Sequence, residues 1–276
     1  MREAFAHTMG LTRAQPGGTR MDMKGKVVLV TGGGSGMGRL ACQLMSGRGA
    51  RVVAMDVNEQ GLAETAGGDA NIVTRRIDIT DFAAVSAAVR ETEDTLGAVH
   101  RVYNAAAIMP LGKLLEQDNA TVQRIMAINY GGLVNIAQAA LPAMVRRGAG
   151  DFISFSSMSG IIPTLMTGGY NASKFAVSAF TEVLFHENRA SGVRFACVCP
   201  PPVATPLLAQ GYATVMPKMI ESMPPIEPRE VLDAIEAALA RGQFWVFPGK
   251  GTRTGYIMRR LFPNLIWKDV HKTEGF

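Results

Sequence analysis

Three cysteines in 276 residues, Cys42, Cys197 and Cys199, are too few and of the wrong parity for a disulfide framework. The last two stand two apart in a strand-like run and so share a face. The four histidines, His7, His100, His186 and His271, fall at no ligand spacing with cysteine or acidic partners, so no metal site is expected. A reduced, cytoplasmic protein is the expectation. The start, residues 1–20, has no long apolar run, so neither a secretory signal nor a membrane span is expected there. Residues 1–23, with Arg2, Arg13 and Arg20, read as a flexible N-terminal arm. Repeats, low-complexity stretches and linkers are also lacking, which leaves one domain over residues 24–250 and a tail over 251–276. The net charge of +5 is modest and local, since the chain from Lys250 onward carries six lysines and arginines against Asp269 and Glu274. No basic stripe on a recognisable module accompanies it, so nucleic acid is not an expected partner.

What is present is a chain with 47% hydrophobic and 18% charged residues, enough to bury one large core. Short aliphatic runs at residues 26–30, 51–55, 71–77, 99–104, 151–156, 193–198 and 244–247 suit strands buried on both faces. Helical patterns at 37–46, 81–96, around 119–147, 174–189 and 230–240 separate them. This alternation predicts a doubly wound α/β fold of the Rossmann-like kind, with about seven parallel strands and helices on both faces. Ligands in such folds bind beyond the carboxyl ends of the strands.

The first strand runs into Thr31-Gly32-Gly33-Gly34-Ser35-Gly36-Met37-Gly38, a T-G-x-x-x-G-x-G pattern in which glycines let a pyrophosphate approach a helix N-terminus. Gly32, Ser35, Gly36, Met37 and Gly38 are therefore candidate cofactor contacts. Asp56 closes the second strand, where a carboxylate accepts hydrogen bonds from the adenosine ribose hydroxyls. That charge favours NAD over NADP, because neither Ser35 nor Val57 supplies a cation for a 2′-phosphate.

Tyr170-Asn171-Ala172-Ser173-Lys174 sets a phenol and an ammonium one helical turn apart. A tyrosine titrates near ~10 unperturbed, so an adjacent cation that favours the phenolate is what acid–base chemistry at neutral pH requires. Ser157 stands 13 residues before Tyr170 at a strand end, placed to donate to a substrate carbonyl oxygen.

Together the glycine loop, Asp56, Ser157, Tyr170 and Lys174 resemble the short-chain dehydrogenase/reductase family over roughly residues 23–248. The resemblance implies a fourth catalytic residue, Asn129, holding a water in a proton relay behind Lys174. It further implies that Asp78 and Ile79 border the adenine, that Val203 and Thr205 contact the nicotinamide carboxamide, and that Tyr170 and Lys174 also meet the cofactor. Thr205 reads equally well as a helix N-cap, and Asp78 as a turn residue. Asn104 and Ala105 belong to Tyr103-Asn104-Ala105-Ala106, where the family shows N-N-A-G, and Pro200-Pro201 stands where it shows P-G.

The expected activity is NAD-dependent interconversion of a secondary alcohol and a ketone. Ile161, Ile162, Leu165, Leu207, Leu208, Met216 and Met219 offer an apolar lining for a hydrophobic substrate, or serve as core. A silent cofactor-binding scaffold, and epimerase or dehydratase chemistry on the same fold, are the competing readings. A homodimer or homotetramer is implied by the resemblance. The mixed aromatic, aliphatic and basic tail suits either a neighbouring subunit or a membrane surface.

Overall fold

The computed structural model describes residues 21–275, so most of the expected N-terminal arm lies outside the described residues. Seven strands, β1 (Val27–Thr31), β2 (Arg51–Asp56), β3 (Ile72–Arg76), β4 (Val99–Asn104), β5 (Gly150–Phe155), β6 (Val193–Val198) and β7 (Trp245–Val246), form one sheet in the order β3-β2-β1-β4-β5-β6-β7. Every pairing is parallel. The doubly wound α/β architecture is as the alternation predicts.

Within β1 the side chains divide by parity, as a twofold strand period demands. Val27 and Leu29 join a core layer with Val85, Leu133, Ile136, Val177 and Phe185. Val28 and Val30 join the opposite layer with Ala41, Met45, Leu62, Val231 and Ile235. The first layer is covered by α3 (Phe82–Leu96), α5 (Gly132–Arg147) and α6 (Gly168–Glu187), the second by α1 (Gly36–Ser46), α2 (Glu59–Ala66) and α9 (Pro228–Ala240). Side-chain caps start three of the helices: Asn58, Asp81 and Asp118 accept from Gly61, Ala84 and Thr121 N–H groups, each at 3.0 Å. Asp118 opens α4 (Asn119–Met126), which passes through a π-helical turn, Ala127–Gly131, into α5. The helix expected around 119–147 is thus two helices with a bulged joint.

Toward the N-terminal ends of the strands, away from the glycine loop, a buried ionic cluster crosses the sheet. Arg101 on β4 donates to Asp151 on β5 at 2.6 Å and pairs with Glu236 on α9, while Arg194 on β6 takes the other Asp151 oxygen at 2.6 Å. The Tyr103 hydroxyl joins it, donating to Glu236 at 3.3 Å. The Tyr103 side chain thus belongs to this cluster, away from the cleft.

After β6 come α7 (Pro206–Tyr212), α8 (Lys218–Glu221), α9 and β7, and then the tail folds as α10 (Thr252–Leu261) and α11 (Pro263–Glu274). Tyr256 is buried against Trp245 and Phe247, with ring centroids 5.9 and 5.0 Å away, and Val270 is fully buried. Much of the tail's apolar surface therefore packs on its own chain, while Leu261, Phe262 and Leu265 remain about half exposed. No helix among the described residues is long and apolar enough to cross a membrane.

Candidate active site

Strand order reverses between β1 and β4, and the crevice at their carboxyl ends is where this class of sheet binds ligands. The glycine loop spans it. Gly32 has φ +69°, and a Cβ there would lie 2.7 Å from the Ala106 nitrogen, so only glycine lets the loop pack against the end of β4. The loop is held from α1 and α2: Arg39 donates to the Gly34 carbonyl at 2.6 Å, and Thr65 to that of Gly33 at 2.7 Å. Gly36, Met37 and Gly38 form the first turn of α1, whose N–H groups have no intrahelical acceptor. They line a cavity of about 300 Å³ with Gly32, Ser35, Asp56, Asp78, Ile79 and Ala105.

Asp56 is fixed at both oxygens, accepting from the Gly34 and Asn58 N–H groups at 3.0 Å each. Asp78 accepts from the Thr80 N–H at 2.9 Å and hydroxyl at 2.7 Å. Those two bonds, with a smaller contribution from Arg124, hold its carboxyl below the usual aspartate range. Two carboxylates and a helix N-terminus thus border one elongated cleft, a donor set suited to ribose hydroxyls at one end and a pyrophosphate at the other.

A second cavity, of about 360 Å³, adjoins the first, sharing Met37, Ala105, Ala107, Thr205 and Leu207 as lining. Ser157, Tyr170 and Lys174 all face it. Ser157 comes from the end of β5, where its Oγ accepts the Ser159 N–H at 3.0 Å and starts a single 3₁₀ turn. Tyr170 and Lys174 come from the first turns of α6, which begins at Gly168, six residues before the start expected from sequence. A Cβ at Gly168 would lie 2.5 Å from the Leu114 side chain. The glycine pair that argues against a helix locally is what lets this helix pack.

Burial pushes the Tyr170 phenol up to about 12, offset in part by a hydrogen bond with Ser157. Burial also pulls the Lys174 ammonium down to about 8. The ammonium lies 5.6 Å from the Tyr170 ring centroid and donates to the Phe155 carbonyl at 2.8 Å. The phenol is therefore a neutral proton donor at pH 7.

Of the other expected residues, Val203 lines the second cavity and Thr205 both cavities. Thr205 is also the N-cap position of α7, yet its hydroxyl donates to the Val203 carbonyl at 3.2 Å and accepts no helix N–H. Asn104 lies away from both walls and accepts from the Thr31 hydroxyl at 2.9 Å, tying β1 to β4. Asn129 sits in the π-helical turn, where its amide bonds both backbone groups of Ile108 and the Ser173 hydroxyl at 2.9 to 3.0 Å. It secures the wall beside Tyr170 without lining a cavity itself.

Ile162, Leu207, Leu208 and Met219 line the apolar cavity as expected, whereas Ile161 packs into the core and Met216 against Met109, Leu111 and Tyr170. Sequence reading missed Arg124 and Ile128 along the nucleotide cleft, and Gly255 and Ile266 around the apolar cavity, whereas Gln210, Ile220 and Met223 belong to the segment 203–223 expected to flank the pocket. Only the fourfold spacing of Ile266 and Val270 hinted that the tail has an inward face.

The sequence and the fold both find matches among known proteins. The model of the family described as short chain dehydrogenase matches residues 26–215. The galactitol 2-dehydrogenase (L-tagatose-forming) of Cereibacter sphaeroides is 37% identical over 66% of this chain and 73% of its own. The 2,5-dichloro-2,5-cyclohexadiene-1,4-diol dehydrogenase LinX of Sphingobium indicum is 30% identical over 79% of this chain and 88% of its own. Among solved structures, a short chain dehydrogenase/reductase from Burkholderia phymatum in complex with NAD superimposes with a TM-score of 0.78. It is 25% identical and covers 89% of this chain and 96% of its own.

Proposed function

The chain belongs to the short chain dehydrogenase family, and from that premise we propose that it uses NAD to interconvert a secondary alcohol and a ketone carried on a lipophilic substrate. Membership makes it an NAD(P)-dependent oxidoreductase; the residues, reaction and substrate class are this reading. One observation carries it: a serine hydroxyl, a buried phenol and a buried amine face the same apolar cavity, which opens onto the glycine-loop cleft.

Gly32, Ser35, Gly36, Met37 and Gly38 hold the pyrophosphate, Asp56 the adenosine ribose, and Asp78, Ile79, Ala105, Val203 and Thr205 the two ring ends. The Burkholderia phymatum neighbour binds NAD, and the fixed Asp56 carboxylate favours the same choice here by opposing a 2′-phosphate. When bound, the dinucleotide supplies the hydride donor or acceptor.

Ser157 orients the substrate oxygen by donating a hydrogen bond to it. Tyr170 delivers its proton to that oxygen in ketone reduction and withdraws one in alcohol oxidation. The neutral phenol at pH 7 suits the first role directly. Lys174 keeps positive charge over the ring, favouring the phenolate as it forms, and Asn129 holds the wall behind it. The predominantly apolar lining selects an apolar substrate body.

The test is a panel of hydrophobic secondary alcohols and ketones with NAD(H) and NADP(H), followed by nicotinamide absorbance. Tyr170→Phe is expected to lower kcat by about 10²-fold or more while NADH binding, read by fluorescence, is kept. Unimpaired turnover in Tyr170→Phe overturns the assignment.

A further inference from the structure

Beyond the span that the family model matches, the tail contributes a wall to the reaction cavity that the chemistry above does not need. Ile266 on α11 and Gly255 on α10 line it, beside Met219 and Ile220 of α8. α8 has four residues, too few to hold a helical turn unaided, and Pro217 at its N-cap offers no side-chain acceptor. Its first N–H groups go instead to Glu274 on α11. One carboxylate oxygen accepts from Met219 at 2.8 Å, the other from Lys218 at 3.2 Å. Glu274 is only 7% exposed, and such charge-assisted bonds at a helix start are among the stronger ones available to a short helix.

Ile266, Val270 and Glu274 are spaced by four, so they form one stripe along α11. Ile266 faces the cavity, Val270 is fully buried, and Glu274 grips α8.

We propose that this stripe makes α11 a resident wall of the substrate cavity, in which Ile266 limits the length of the substrate's apolar end and Glu274 is a positioning residue that fixes α8. The proposal deepens the alcohol/ketone reading and rests on it. A short substrate occupies the Ser157–Tyr170 end and does not sense the wall; a long one presses on it. Gln at position 274 offers one acceptor oxygen and turns an amide donor toward a backbone N–H, so α8 loosens. Asp keeps both oxygens on a shorter stem.

The experiment measures kcat and KM with NAD for a series from 2-butanol to 2-decanol in wild type, Ile266→Ala, Glu274→Gln and Glu274→Asp. With 2-butanol the two Glu274 variants are expected to agree with wild type within about twofold. Ile266→Ala is expected to move the preferred chain length upward, with kcat/KM rising about fourfold per methylene newly accommodated. Glu274→Gln is expected to raise KM for 2-octanol about fivefold at unchanged kcat, with Glu274→Asp recovering part of it. A uniform loss along the series, or an unchanged profile, overturns the proposal.

A second readout separates this from failure of the alcohol reading. The chain has two tryptophans, so Trp245→Phe leaves Trp267, next to Ile266, as sole reporter. Titration with 2-octanone is expected to give a saturable emission change whose midpoint shifts in Ile266→Ala. If no alcohol is oxidised but that response appears, the wall stands and the reaction assigned above fails. If the response is missing, the wall fails.

Discussion

Lys174→Met is expected to abolish turnover and at the same time to stabilise the chain at pH 7. Lys174 is 3% exposed, and burial draws it from its ordinary 10.5 down to about 8. Between those values the unfolded chain binds a proton that the folded chain releases. Stability from this group is therefore fully present above 10.5 and is lost as pH falls through about 8. At neutral pH the loss is complete and amounts to about 3 kcal/mol. Methionine keeps most of the stem volume and removes that charge, but leaves the Phe155 carbonyl without its ammonium donor, which costs about 1 kcal/mol.

The net gain of about 2 kcal/mol corresponds to a thermal midpoint roughly 5 °C higher for a domain of this size. The assay is scanning calorimetry of wild type and Lys174→Met without cofactor, from pH 6.5 to 10.5. The advantage is expected to shrink above pH 8 and to reverse near 10.5, where the folded lysine is neutral, the unfolded one is half so, and the lost hydrogen bond outweighs what remains of the burial penalty. Tyr170, held up at about 12, adds stability below pH 10 that is lost through 12, but it is common to both proteins and cancels. A variant less stable than wild type at pH 7, or a gap independent of pH, refutes the reasoning.

Three further outcomes concern the frame around the site. Gly38→Ala places a Cβ against the Gly32 carbonyl oxygen, so the loop must shift, and NADH affinity measured by fluorescence titration is expected to fall by about tenfold or more. Asp56→Asn keeps an acceptor for the loop but removes the charge that opposes a 2′-phosphate; the NAD-over-NADP ratio of kcat/KM is expected to drop by about tenfold. Arg101→Met strips a cation from the buried cluster with Asp151 and Glu236 and is expected to cost about 3–5 kcal/mol in urea unfolding, with a loss under about 1 kcal/mol contradicting the cluster's importance.

The strands at Val99–Asn104 and Val193–Val198 have the bounds read from their apolar runs, because a strand buried on both faces writes itself as a continuous aliphatic segment. The last strand shrinks from the expected 244–247 to Trp245–Val246, since an edge strand pairs only where a neighbour reaches it. Helix α2 escaped notice: two turns opened by an Asn58 cap carry little periodicity. The early start of α6 was hidden by Gly168 and Gly169, whose local cost is outweighed by close packing against Leu114 and the neighbourhood of Val122 and Ile125.

Local order along the chain settled what kind of fold this is and pointed to its family, for a strand's alternation, a glycine turn and a phenol one helical turn from an amine are all relations between near neighbours. Folding alone revealed that Arg101 meets Glu236 across 135 positions, and that Glu274 reaches back 55 positions to accept from the start of the short helix beside the apolar cavity. Contacts of that span depend on where the sheet and its covering helices bring remote segments together, and no pattern in a short stretch of residues encodes that meeting.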